Sequence, residues 1–600
     1  MASIFSLDKQ VAKLPKHGFP MSQVFDFTSS TGHILPVYYD ILIPGEKIRY
    51  SCDLFTRTQP LSSPANVDID EFIDVFFVPL KKISSVADNI LFQIQDVGSS
   101  NFLDNNAQVY LSTNYVLPLL DLSKIGNDNS TNAYLGAFNS GLTIFGSYAV
   151  WFDNFYPGAM RLFDHLNVLP DVLLATNSAA PMISPLMFAC YQAIYMDYFR
   201  LSTWEANQVT SYNLDKGYGT LDLLSSGNPW ALSGVLRDLL QLRYRPRQKD
   251  YFTNVFPSPL ISQTGMLDVG ISHLQSVNQW LASRSYTPIT ASGTPSVLGT
   301  GLTETTDYPS SYGAASNRLA LSTASLRTMF AVDKLLKVTA RAGKHYDDQV
   351  LAHFGFKVPQ GYSDEVVHLG THHQNIHIGE VISTASTSTG EIGELAGKGY
   401  GKNGSQVVKS FTAPCHGVFM AVYSCAPKIS YTGGIDRIHT MVSRFDWFIP
   451  ELDNLGMQPL FEYEIADKPQ SVVYIAWQLR YMQEKCKYNR ATRAFMTRLA
   501  GNTVNNDGPF ADWVITNAFP RSSYTLGFSL GSLMVSPHDL DQIMLQGYVG
   551  DMGWSTFYDS VDNVYRPEIL YSTDPLIHHL VQTVSKVSGM SIYGLDDKAI

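Results

Sequence analysis

"VDIDEFIDVFFVP", residues 67–79, decides how the rest of the chain is read. Ile69, Ile73, Val75 and Phe77 recur at period two, which places them on one face of a strand. Asp68, Asp70 and Asp74 fall on the other face, joined by Phe72 and Phe76. Pro79 removes a backbone donor and ends the run. Just upstream, "HILPVYYDILIPGEKIRYSCDLF" (33–55) holds two β-rich runs around a Pro44-Gly45 turn. Downstream, "NIHIGEVIS" (375–383), "QVVKSFT" (406–412) and "HGVFMAVYSC" (416–425) are again strand-like. The last is almost continuously apolar, as expected of a strand covered on both faces.

Helical periodicity is confined to a few places. Residues 184–200 predict a helix, with Ser184 as cap, Pro185 in the first turn and Met187, Tyr191, Ile194 and Tyr198 as its stripe. Segments 233–243 and 325–341 are the other candidates, the second stopped by Gly343. Residues 81–180 are irregular and rich in Asn, Ser and Gly, which predicts a large insertion. Residues 283–317 are mostly Thr, Ser, Gly, Pro and Ala, cannot build a core, and are expected to project into solvent. Short strands around helical insertions suggest an elaborated β-sandwich.

Composition bounds the function. The 600-residue chain is 45% hydrophobic and 12% aromatic but only 16% charged, so it can bury a large core and further surface against neighbours. A net charge of −11 excludes a chain that coats nucleic acid by itself. Any such contact must come from a local patch or a basic partner. The five cysteines (52, 190, 415, 425 and 486) are scattered, without a CxxC pair, which argues against a disulfide framework or zinc ribbon. The first residues, "MASIFSLDKQVAKLPKHG", lack the charged start and apolar core of a signal peptide. No apolar run reaches the roughly 20 residues needed to span a bilayer.

Several patterns suggest chemistry. "HLGTHHQNIHIGEV" (368–381) contains His368, His372, His373 and His377. On a strand, His373 and His377 stand about 13 Å apart, too far to share a metal, and no HExxH pattern is present. Solvated or interface histidines fit better than zinc. "GYGKNG" (399–404) satisfies GxGxxG, but β-like sequence follows it where a dinucleotide site needs a helix, so a loop or turn is expected. Cys415 and His416 are adjacent and cannot form a dyad on a strand. The carboxylate pairs Asp347/Asp348 and Asp596/Asp597 read as solvated turns. No catalytic residues, metal or cofactor are expected. One basic stretch, "LRYMQEKCKYNRATRAF" (479–495), interleaves Arg480, Lys485, Lys487, Arg490 and Arg493 with Tyr481 and Tyr488. That mix can grip single-stranded nucleic acid by phosphate contacts and base stacking. A solvated or interface segment is the alternative.

In order along the chain, short motifs resemble the major capsid protein of the Microviridae, the small single-stranded DNA bacteriophages, in particular the gokushovirus-like branch. They are "LPVYYDILIPGEKIRY", "DVFFVPLKKI", "YQAIYMDYFR", "KDYFTNVFPSP", "LRTMFAVDKLLKVTARAGKHYDDQVLAHFGF", "GGIDRIHTMVSRFDWFIPELDNLGMQPLFEYEI", "VSPHDLDQIM" and "IYGLDD". Residues 81–180 are longer than the family pattern.

The resemblance implies a single elaborated domain over 1–600, with an all-β core: an eight-stranded antiparallel viral jelly roll with long insertions. Residues 261–320 would then be a surface-projecting insertion, and 366–600 would complete the barrel. It further implies a T=1 icosahedral shell built through pentamers around circular single-stranded DNA. Expected partners are a small basic DNA-binding protein, minor, pilot or scaffolding virion proteins, and a host surface receptor. Assembly would take place in the bacterial cytoplasm, and the virion would be the final location. A receptor- or carbohydrate-binding jelly-roll spike is the alternative. On this reading the loop at 372–373 enters a strand, Ile376 and Ile378 face the core, and His377 points away.

Overall fold

A computed structural model describes residues 16–59, 61, 65–84, 120–121, 158–168, 182–214, 239–258, parts of 331–342, 343–357, 365–382, 395–402, 406–432, 434–450, 456–465, 474–495, 510–516, 533–535, 539–543, 556–559, 564–567 and 574–590. The chain divides into two compact units. One holds residues 1–257, 358–453 and 458–600, and the other holds 258–357 and 454–457.

The first unit is built on one curled antiparallel sheet. Its strands are β1 (His17–Pro20), β2 (Gln23–Ser29), β3 (Leu35–Leu42), β4 (Lys47–Thr58), β5 (Ile69–Pro79), β6 (Val367–Ile382), β7 (Leu395–Lys402), β8 (Gln406–Thr412) and β9 (Gly417–Pro427). A separate pair, β10 (Met457–Phe461) and β11 (Tyr474–Leu479), precedes the last strand of the sheet, β12 (Leu576–Ser588). The order is β1-β12-β4-β7-β6-β5-β9-β3, with β8 also on β4 and β2 also on β12. This is the all-β jelly-roll core that the sequence implied. It has ten strands rather than eight among the described residues, because β1 and β2 lie end to end along β12 and β8 and β7 lie end to end along β4.

The curl comes from strands that change partner along their length. Residues 367–376 of β6 pair with β5, and residues 377–382 pair with β7. In β4, residues 47–52 pair with β8 and residues 55–57 with β7. Two halves of the sheet therefore face each other across one core. Leu35 and Val37 of β3, Ile48, Tyr50 and Leu54 of β4, Phe419 and Tyr423 of β9, and Leu576, Leu580 and Val584 of β12 fill it. Ile69, Ile73, Val75 and Phe77 of β5 join them, as the alternation predicts. Each such side chain, fully buried, contributes about 1.5–3 kcal/mol.

The other face of β5 and β9 is covered by helices. Phe76, Val78, Val418, Met420 and Val422 pack against α1 (Gly158–His165) and α2 (Leu186–Ile194). All eleven residues of β9 are buried as a result. Helix α1 lies within 81–180, a region expected to be irregular; its Leu162 and Phe163, with Leu166 just beyond, form an apolar edge that the Asn- and Ser-rich flanks obscure. Helix α2 lies within the predicted span 184–200. It widens into a π turn over Tyr195–Phe199, and Ser184 Oγ accepts from the Leu186 N–H at 3.3 Å. At 233–243 only 239–240 are helical among the described residues, and 241–243 are not.

In the second unit, helical residues recur at 331, 334–335 and 338–339, within the predicted helix. Helix α3 (Tyr346–Phe354) follows and ends at Gly355, whose φ of 67° is left-handed. Asp347 and Asp348 sit in its first turn, where carboxylates favour the helix dipole, rather than in a turn between elements. Residues 261–320 and the pair Asp596/Asp597 lie outside the described residues.

Two further expectations change. Gly399 and Gly401 lie in β7, not in a loop. A Cβ on Gly399 would stand 2.6 Å from Thr58 Cγ2 and 3.0 Å from Ile376 Cγ2, so the glycine serves close strand packing. Cys415 and His416 occupy a bend between β8 and β9 rather than a strand.

Candidate nucleic-acid interface

The basic stretch begins where β11 ends at Leu479. Tyr481 turns the chain with a left-handed φ of 59° and opens a short helix, Met482–Lys485. The backbone N–H of Tyr481 donates to Gln458 Oε1 at 2.8 Å, and its ring is buried. Tyr488 packs its ring 4.7 Å from Phe252 and 5.5 Å from Tyr251. Both tyrosines thus serve the packing of the fold; Tyr481 is buried and offers no face for base stacking, while Tyr488 is half-buried.

The cations remain at the surface. Arg480 donates to Phe445 O at 3.4 Å, and Lys485 donates to Arg480 O at 3.0 Å, which ties these two side chains into one ridge. Lys487 and Arg493 are exposed, and Arg493 adopts a left-handed φ of 58°. Arg490, itself exposed, stands 4.0 Å from the half-buried Asp436, at the limit of an ion pair and of small energetic weight.

Arg490 also lines an open cavity of about 590 Å³, together with Lys428, Asn375, His377, Asn489 and Asp68. That cavity lies where β6 leaves β5 for β7. The histidine cluster and the basic stretch therefore meet at one member each. The sequence reading did not single out Lys428 and Asn489, which are far apart in the chain and adjoin because residues 429–431 hydrogen-bond to residues 489–491.

The four histidines share β6, a strand throughout rather than a loop entering one. His373 and His377 are exposed, and Ile376 is buried, as expected. His372 is fully buried in mid-strand and not at the strand's mouth. His373 Nε2 lies 3.2 Å from Asp70 and His368 Nε2 lies 3.7 Å from Asp74. Arg245 donates to Asp74 at 2.8 Å. Burial alone would raise the Asp74 carboxyl, but hydrogen bonds from His368 and Thr371 and the Arg245 charge hold it below the usual range. Among the described residues, no group of three or more His, Cys, Asp or Glu could hold a metal ion.

Inside the core, a second polar arrangement has Ser–His–Glu order. Ser29 Oγ lies 2.7 Å from His578 Nε2, His578 Nδ1 lies 3.0 Å from Thr56 Oγ1, and Thr56 donates to Glu71 at 2.9 Å. Burial lowers the His578 pKa to about 3, so the ring is neutral. With Nδ1–H donating to Thr56 and Ser29 donating to Nε2, every bond is satisfied. Tyr423 and Gln374 also donate to Glu71, whose pKa burial raises. Ser29, His578 and Glu71 are each at most 2% exposed, so no substrate reaches the serine. The arrangement is a core network that joins β2, β4, β5 and β12.

A third polar group anchors α1. Arg161 donates both Nη groups to Asp574, each at 2.7 Å, and Thr28 adds a third bond at 2.7 Å. Burial would raise Asp574, but the guanidinium overrides it and brings the pKa to about 2.

A family model described as "Capsid protein (F protein)" matches residues 158–506. The chain belongs to that capsid protein family. The capsid chain is 25% identical to "Capsid protein VP1" of Chlamydia phage 1 over 228 residues, which is 36% of this chain and 38% of that relative. It is 21% identical to "Capsid protein VP1" of Bdellovibrio phage phiMH2K over 481 residues, 74% of this chain and 75% of the relative. These similarities bear out the resemblance to Microviridae capsid proteins, and the role of this capsid protein is structural.

Proposed function

We propose that the chain is the repeating subunit of a small T=1 icosahedral shell that encloses a circular single-stranded DNA genome. The observation that carries this is the capsid-family match over 158–506, which spans both the helical face of the jelly roll and the basic stretch. Pentamers are the expected intermediates, with a scaffolding protein assisting closure and a small basic protein neutralising much of the DNA. The low charge content and the net charge of −11 suit a subunit that meets neighbours on several sides and leaves most of the phosphate neutralisation to a partner. Assembly takes place in the bacterial cytoplasm, the mature protein resides in the virion, and a host surface receptor is a further partner. The chain carries no catalytic activity. Among the described residues, no helix is long and apolar enough to cross a membrane.

Within that shell, Arg480, Lys485, Lys487, Arg490 and Arg493 contact the packaged strand through its phosphates. The exposure of Lys487, Arg490 and Arg493 supports this contact. Electron microscopy of the chain coexpressed with its virion partners tests the shell; closed particles are expected, and only monomers or trimers would overturn it. Changing Arg480, Lys487 and Arg490 together to alanine should reduce the DNA packaged per particle. Unchanged packaging would remove the basic stretch from the genome contact.

A further inference from the structure

The stretch "KGYGK" (398–402) forms the larger part of β7 and alternates strictly. Gly399 and Gly401 face inward. A Cβ would meet Thr58 and Ile376 at the first position and would stand 3.1 Å from Gln374 and Glu71 at the second. Lys398, Tyr400 and Lys402 therefore face outward together, and all three are exposed, Tyr400 by 56%. The alternation sets the ring between two lysines, each about 7 Å away along the strand.

The neighbouring strands extend this surface. Arg57 of β4 and His377 of β6 stand directly opposite Tyr400, one on each side, and Phe55 of β4 stands opposite Lys402. Arg57 and His377 are exposed, and the Arg57 guanidinium lies 4.9 Å from the Phe55 ring. The residue of β6 opposite Lys398 is Gly379, which adds no side chain. None of these outward positions carries a carboxylate. Asp53, one outward position beyond Phe55 on β4, marks the acidic limit of the surface. His377 also lines the open cavity beside Arg490, so the cationic surface of β7 continues to the basic stretch.

We propose that the outward face of β7 binds single-stranded DNA, with a base stacked on Tyr400 and the flanking phosphates held by Lys398, Lys402 and Arg57. The inference rests on the genome-enclosing shell reading above and supplies what the basic stretch lacks. Tyr481 is buried there, whereas Tyr400 offers an open ring. Within 398–402, every outward side chain is a cation or an aromatic ring. That combination grips a single strand by its phosphates and by stacking, whatever its sequence. An acidic peptide would meet the cations but would leave the ring between them uncovered. A base covers it, because every base has a π-face.

Fluorescence anisotropy of a labelled oligothymidylate with the purified full chain tests the platform. Tyr400→Ala should weaken binding roughly fivefold or more, the loss of one stacked base, while Tyr400→Phe keeps it near wild type. The double variant Lys398→Gln/Lys402→Gln should lower the slope of log affinity against log salt by about 1.4, as expected for two phosphate contacts on a single strand. Each variant should melt at the wild-type temperature, because the changed side chains are exposed. Absent binding, or binding that Tyr400→Ala leaves unchanged, would overturn the proposal. So would polyglutamate that competes as well as the unlabelled oligonucleotide, which would assign the surface to an acidic protein. If coexpression with the virion partners gives no closed particles yet Tyr400→Ala still weakens DNA binding, the shell reading fails and the platform stands. Closed, DNA-filled particles together with unchanged oligonucleotide binding in Tyr400→Ala would keep the shell reading and remove the platform.

Discussion

The sheet core and the segment 435–448 handle the same kinds of side chain in opposite ways. In the core, Phe419 and Tyr423 are sealed between two halves of the sheet, and charged groups enter only with partners. In the segment, Phe445 and Trp447 are exposed while polar side chains brace the backbone beneath them. The first arrangement is complete within one chain. In the second, Ser443 and Asp446 hold the backbone while the apolar side chains add little to folding.

If that contrast holds, the largest effect comes from breaking a buried pair. Arg161→Met leaves Asp574 charged, buried and without its guanidinium, and should cost about 3–5 kcal/mol in chemical unfolding. Adding Asp574→Leu should recover most of that loss; no recovery would mean that α1 depends on the charges for more than pairing. Next, Gly399→Ala drives a methyl into Thr58 and Ile376 and should cost about 1–3 kcal/mol by the same measurement.

Acid gives a third test. His165 and His578 are buried and neutral, with pKa values lowered by burial to about 4 and about 3. Unfolded, each titrates near 6.5 and so binds a proton that the folded form refuses. Their contribution is fully present above pH 6.5 and is lost as pH falls toward 4 and 3, at about 1.4 kcal/mol per group per pH unit. Glu71, raised by burial, acts in the opposite sense and stabilises the fold as pH falls through its own range. Stability measured between pH 7 and 5 should therefore fall, and His578→Gln should flatten the slope by one group's share. The smallest expected effect sharpens the contrast most. Val442→Ser should change folding stability by less than about 0.5 kcal/mol, since that side chain is 91% exposed.

Much of the sheet was legible because period-two alternation reports which face of a strand is dry. Ile69, Ile73, Val75 and Phe77 share the core as the alternation requires, and "HGVFMAVYSC" is covered on both faces as its continuous apolarity requires. The alternation was silent about Glu71, which occupies the same apolar face as a buried carboxylate. Its partners Thr56, Gln374 and Tyr423 come from three other strands, and nothing local marks them. The basic stretch was legible as charge, but the burial of Tyr481 was not. Tyr481 turns inward because a left-handed turn at the end of β11 reverses the chain there.

By itself the sequence determined the strand faces, the covered central strands, the Pro44-Gly45 turn with its left-handed Gly45 (φ 84°), and membership in a capsid family. These are local periodicities and ordered motifs, and both survive without knowledge of long-range contacts. Only the tertiary structure decided where β6 changes partners, that His372 is buried while His373 is not, that Arg161 meets Asp574 across 413 residues, and that the apolar side chains of 435–448 point outward. Each of these depends on which distant residue arrives alongside. An apolar side chain carries the same letter whether its partner lies in its own chain or in the next one.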